Sequence, residues 1–220
     1  MKKLLLILTL SLSVSMFAQE KITEGIVTSK QSMSSDNEQM NAQLSMLGDM
    51  MTTTYFKGDK TRSETSNPMT GTTVFIGDNA SKKALMLMDN AMMGKKYMET
   101  DMTPSASDLE NVSIEKTNET KTILGYECVK YNVTMKKDGA DVKGAIYATD
   151  KLHAISQQTT AFGDAFKGFP MHMTLVLEQQ GFKMNMVTEV TEVKSEKIAD
   201  GKFNMTPPEG YTKTDNLMGM

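Results

Sequence analysis

The stretch Met171–Val193 constrains this chain more than any other. It reads Met171-His172-Met173-Thr174-Leu175-Val176-Leu177, then Glu178-Gln179-Gln180-Gly181, then Phe182-Lys183-Met184-Asn185-Met186-Val187. Alternate side chains of a strand share a side. A two-residue turn at Gln179-Gln180 predicts Leu177 opposite Phe182, Leu175 opposite Met184 and Met173 opposite Met186. With Met171 these form one continuous apolar wall. The other side carries His172, Thr174, Glu178, Lys183 and Asn185, with Val176 and Val187 among them. One oily face and one wet face describe an antiparallel sheet that covers something.

The remaining strands follow the same logic. Lys21–Ser32 reads as a first strand. Ser35 three residues before Glu38 forms a capping-box pattern. Met40, Leu44, Leu47 and Met51 follow at helical spacing, which predicts an amphipathic helix over Asp36–Met50. Thr52–Phe56 and Thr61–Thr65 flank a glycine turn that sets Tyr55 opposite Arg62. Thr72–Ile76 pairs with Lys82–Met88. Tyr126–Met135 and Val142–Thr149 pair across Asp138-Gly139. Their register sets Met135 on Val142, Val133 on Gly144, Tyr131 on Ile146 and Val129 on Ala148, all apolar, small or aromatic. Thr103-Pro104 predicts a brief helix through Leu109. Phe162, Phe166 and Phe169 sit at helical spacing, but Gly163 and Gly168 make Thr159–Phe169 a poor helix and suggest a short lid or plug. Roughly nine to eleven strands with two or three short helices predict one mainly β, antiparallel domain over 20–215, with a frayed tail at 216–220.

The first 19 residues stand apart. Lys2-Lys3, an apolar run over Leu4–Val14 and the exit Ser15-Met16-Phe17-Ala18-Gln19 have the form of a secretory signal peptide. No cysteine follows to carry a lipid. The expected product is exported, in the periplasm or outside the cell, and monomeric. The full chain carries a net charge of −3. Removing Lys2 and Lys3 takes it to −5, which disfavours nucleic acid and anionic membrane as partners. The single Cys128 leaves no internal disulfide.

Methionine occurs 22 times and tryptophan not at all. Thioethers are soft ligands, so Met171, Met173, Met184 and Met186 raise a Cu(I) reading. Alternation turns His172 away from its two Met neighbours, which favours apolar packing instead. Cys128 has no recognisable histidine partner. No nucleophile elbow, metalloprotease helix or phosphate loop appears. No catalytic residue, metal ligand or cofactor is expected.

Two sets of residues resemble known families. Tyr55-Phe56-Lys57-Gly58-Asp59-Lys60-Thr61-Arg62 with Val74-Phe75-Ile76-Gly77-Asp78, and the closing run Ile198 to Phe203, Pro207-Pro208 and Tyr211, resemble the LolA/LolB-like superfamily of lipoprotein and lipid carriers. Thr120-Lys121-Thr122-Ile123-Leu124-Gly125-Tyr126-Glu127-Cys128-Val129-Lys130 is similar to uncharacterised secreted domains of Gram-negative bacteria. The carrier resemblance implies a strongly curved antiparallel sheet, an incomplete barrel, with short helices plugging its concave face. It implies a lid-holding role for Arg62, with Tyr55 beside it. The expected function is non-catalytic binding of an apolar ligand, a lipid or a lipoprotein acyl chain. Met171, Met173, Leu175, Leu177, Phe182, Met184 and Met186 would form its wall, with Met40, Leu44, Leu47, Phe162 and Phe166 above it. The alternatives are a ligand-free envelope module with a protein partner, and a periplasmic Cu(I) binder.

Overall fold

A computed structural model describes residues 20–217 apart from 68, 70, 138 and 180. The expected signal peptide lies outside the described residues. The strands are β1 (Glu24–Ser35), β2 (Met50–Lys57), β3 (Lys60–Asn67), β4 (Gly71–Asp78), β5 (Lys83–Asn90), β6 (Gly94–Asp101), β7 (Val112–Ile123), β8 (Tyr126–Lys137), β9 (Ala140–Thr149), β10 (Phe169–Gln179), β11 (Phe182–Lys194) and β12 (Thr212–Lys213). They form one sheet in the order β12-β6-β5-β4-β3-β2-β1-β11-β10-β9-β8-β7. All pairs are antiparallel except β12 with β6. The fold is mainly β, and the sheet stays open at β7 and β12.

Hairpin chemistry sets most of this order. Met135, Val133, Tyr131 and Val129 pair with Val142, Gly144, Ile146 and Ala148 as expected. Tyr55 pairs with Arg62. The β10–β11 hairpin differs in register. Gln179 pairs with Phe182, Leu177 with Met184 and Leu175 with Met186, while Met173 faces Thr188. The turn therefore falls one residue later and includes Gly181, whose φ of 86° suits a tight reversal. Each partner shifts by two, so every side chain keeps its face.

The helices are shorter than expected. α1 (Glu38–Leu47) is capped by Asn37, whose side chain accepts from Met40 N. Ser35 Oγ instead donates to Lys183 O and accepts from Asn37 N. Gly48 ends the helix at φ 67°, so Met51 belongs to β2 and is exposed. α2 (Ala106–Glu110) starts at Ser105, not Thr103, because Ser105 and Asp108 form a reciprocal capping box. The Gln157–Ala165 segment is a 3-10 stretch broken at Gly163. Leu217, expected in the frayed tail, is buried.

Chain length forces the sheet to curve. Residues 102–111 join β6 to β7, which lie ten strand steps apart. A flat sheet would separate them by about 48 Å at ~4.8 Å per strand. The connection reaches at most ~40 Å when fully extended, and α2 shortens it. The two ends of the sheet must therefore turn toward each other around a concave face. The connection crosses that face: a Cβ added to Gly77 would lie 2.9 Å from Met102 Sδ, and one added to Gly163 would lie 3.4 Å from Pro104. A second crossing runs from β9 through the 3-10 segment to β10. It is pinned by Ile155 N donating to Thr61 Oγ1 at 3.0 Å and by an isolated Ile22–Leu152 bridge.

Candidate functional site

Strand alternation divides the concave face into two unlike halves. Over β8–β11 it presents Tyr131, Val133 and Met135, then Val142 and Ile146, then Met173, Leu175 and Leu177, then Met184 and Met186. The backbones approach closely here, since a Cβ on Gly144 would lie 1.9 Å from Thr174 O. Over β2 and β3 the same face presents Thr52 and Thr54 against Thr65 and Ser63. These hydroxyls bond in pairs, Thr52 to Thr65 at 2.7 Å and Thr54 to Ser63 at 2.9 Å. Thr54 and Ser63 are buried, so each hydroxyl needs its partner. Phe75, Met86 and Met98 continue this row through β4–β6.

The oily half is partly occupied by the chain itself. Phe162 and Phe166 project from the 3-10 segment into a cluster with Tyr131, Val133, Ile146, Met173 and Leu175. Tyr131 and Phe166 have ring centroids 5.0 Å apart. The segment is a poor helix, held by these two rings, each worth roughly 1.5–3 kcal/mol of burial, and by Gln158 donating to Gln31 at 2.9 Å. Met171 belongs to a second cluster with Val27, Phe56, Cys128, Phe169 and Val190, because a bulge lies between Pro170 and His172. The expected wall is thus split between two cores. Its outer part, Leu177, Phe182, Met184 and Met186, is only half-buried. Met186 Sδ accepts from Gln31 Nε2 at 3.0 Å. Of the α1 residues, Leu44 is buried and Met40 and Leu47 are half-buried.

A cavity of about 520 Å³ opens beside this wall. It lies between the β6–β7 connection, the 3-10 segment and the end of β8. Asp101, Met102, Pro104, Asp108, Met135 and Thr160 are among its lining residues. Of these, Met135 belongs to the wall, and it packs against the cluster holding Phe162 and Phe166. None of the residues expected to bind ligand lines it.

A family model matches residues 37–211 and carries the description "domain of unknown function (DUF4412)". The chain belongs to the DUF4412 family. The DUF4412 region holds the wall, both crossings and the cavity. It leaves out β1, which nevertheless sits at the centre of the sheet between β2 and β11. No curated protein matches the chain. Two solved structures of PNGF-II, in the C2 and P21 space groups, are similar at 16% identity with TM-scores of 0.46 and 0.49. They cover 87% and 89% of this chain, which spans 32% of theirs.

Arg62 and Tyr55 of the DUF4412 domain face away from the concave side, since Thr61 and Ser63 occupy it. They hold a different segment. Arg62 pairs with Glu64 at 2.5 Å and donates to Lys202 O at 3.3 Å, while Lys202 Nζ lies 4.1 Å from the Tyr55 ring centre. The resemblance-based lid contact is therefore a strap for the 3-10 turn Asp200–Phe203 on the convex face. The same C-terminal run sets Met205 and Tyr211 on Val74, Ile76, Leu85 and Leu87.

The candidate chemical residues are separated. Cys128 is fully buried, donates to Tyr126 O at 3.4 Å, and burial pushes its thiol up to about 11. It stays protonated at neutral pH and is a weak nucleophile. His172 pairs with Tyr147 and Glu189 in the sheet, opposite to Met173. Its ring meets Tyr147 edge-on, and burial and then Lys121 hold its pKa down. Met173 and Met171 pack in separate clusters on either side of the bulge. Among the described residues, no group of three or more His, Cys, Asp or Glu side chains is placed to hold an ion. Near the opposite end, His153 Nε2 lies 3.4 Å from Asp59 in a cavity of about 380 Å³.

Sequence reasoning missed the hydroxyl half and the cavity. The hydroxyl row was legible, because the register that sets Tyr55 on Arg62 also sets Thr54 on Ser63. The cavity was not, because its walls come from four separate parts of the chain.

Proposed function

We propose that this protein is an exported, non-catalytic binder of an apolar ligand, such as a lipid or a lipoprotein acyl chain. The reading makes it a functional relative of the LolA-like carriers, acting as a monomer in the cell envelope. One observation carries it: the methionine-rich wall runs on past Phe162 and Phe166 into half-open space beside a cavity. The two rings then stand where a hydrocarbon tail would lie, held by a segment with little helical stability of its own. Each methylene buried there contributes about 0.8 kcal/mol. Methionine side chains adapt to tails of different shape.

The second reading is an envelope module with no small ligand, and the packing of Phe162 and Phe166 supports it. Titration of the mature protein with the neutral dye N-phenyl-1-naphthylamine separates the two. Saturable uptake, displaced by a long-chain lipid and strengthened by Phe162→Ala, is the expected result. No uptake by either protein, with no lipid retained in native mass spectrometry, rejects the carrier reading.

A further inference from the structure

Beyond being apolar, the ligand can be given a shape and a sign. We propose that it is a single-chain amphiphile whose polar end donates hydrogen bonds or carries positive charge. That end would sit at α2, with the tail running past Met135 onto the wall. The inference rests on the carrier reading and deepens it.

The cavity itself is amphipathic. Met102, Pro104, Met135 and Ala161 give it an apolar side, and Met135 continues into the row Val142, Leu177 and Met184. Asp101, Asp108, Asn111, Thr103 and Thr160 give it a polar side rich in acceptor oxygens. Its charged lining is two carboxylates and Lys136. Lys136 lies 3.5 Å from Asp141, and Asp101 is met from outside by Lys83 at 2.6 Å. Asp108 Oδ2 accepts from Ser105 N and Oγ, which fixes the carboxylate at the start of α2. An ammonium or a hydroxyl-bearing head finds acceptors there. A carboxylate head of the same chain length meets Asp108 and the Lys83-paired Asp101, with Lys136 as the single cation in the lining and itself paired to Asp141. The volume of about 520 Å³ is small for a bulky double-chain lipid and suits one head with the beginning of one tail.

The test is competition against bound N-phenyl-1-naphthylamine by dodecylammonium and by dodecanoate, in the mature protein. Dodecylammonium is expected to displace the dye about two- to fivefold better, the scale of an exposed charge contact. Asp101→Lys should reverse or abolish that preference. Met135→Trp should fill the cavity and weaken both competitors, and Ala161→Trp, at another lining position, should do the same if Met135→Trp unfolds the protein. Dye uptake with equal displacement, or with dodecanoate favoured, overturns the inference and leaves the carrier reading standing. Competition unchanged in folded Met135→Trp or Ala161→Trp also overturns it. A wild-type protein that takes up no dye and binds neither amphiphile ends both.

Discussion

The two halves of the sheet are covered differently: β8–β11 carry an apolar cluster on the concave side, while β4 and β5 are buried on both faces. Over β8–β11 the apolar side is concave, and Phe162 and Phe166 cover it from within. Over β4–β5 the apolar cluster is convex, and Met205 and Tyr211 cover it from outside. Between them, on β2 and β3, the concave face is lined by paired hydroxyls. A sheet with apolar clusters on both sides needs two covers. The chain supplies one from the β9–β10 crossing and one from its C-terminal run. The inner cover is short, 3-10 and broken by Gly163. The outer cover is pinned by an edge strand, a salt bridge from Lys57 to Asp200 at 2.7 Å and the Lys202–Tyr55 contact. The inner cover has no α-helix or strand, and holds to the sheet through Phe162, Phe166, the Ile155–Thr61 bond and Gln158, whose amide donates to Gln31 at 2.9 Å.

Mutations can break or sharpen this contrast. Phe166→Ala removes a ring from the inner cover and should cost about 3–5 kcal/mol in urea unfolding. A cost below about 1 kcal/mol would mean the wall is not truly covered. Thr54→Val strands the buried Ser63 hydroxyl and should cost roughly 1–2 kcal/mol, with most of it recovered in Thr54→Val/Ser63→Ala. Additive losses in that double-mutant cycle would show that the hydroxyl row is not a paired unit. Lys202→Ala should cost only about 0.5 kcal/mol and leave dye uptake unchanged, because it anchors the outer cover. A change in uptake would restore Arg62 and Tyr55 to a lid-holding role.

The smallest effect is pH-linked. Burial, and then Lys121, hold the His172 pKa below its unfolded value on the wet side of β10. The folded state therefore binds the proton less readily than the unfolded one. The stability this contributes is present above the unfolded histidine pKa and is lost as pH falls through the folded pKa. His172→Gln should flatten the stability profile below neutral pH, and an unchanged slope would assign the acid sensitivity elsewhere.

Much of the fold was legible in the residues. The β8–β9 register, the Tyr55–Arg62 pair and the two faces of β10 and β11 follow from alternation and turn chemistry. Even the mistaken turn at Gln179-Gln180 left the faces correct, because a two-residue shift preserves parity. The site was less legible. The spacing of Phe162 and Phe166 points to a packed segment, and both rings lie in one cluster with Met173, while the bulge at Pro170–His172 sets Met171 in another core. Met51 was assigned to a helix that Gly48 had already ended.

The sequence by itself determined which side chains share a strand face, because alternation depends only on neighbours along the chain. It also determined membership in the DUF4412 family. Tertiary structure alone decided which face turns inward in each half, and where Arg62 reaches. It alone decided whether room remains beside the wall. Those outcomes depend on curvature and on two crossings that bring residues 102–111 and 157–165 against β8. No local pattern encodes a space whose walls are so far apart in the chain.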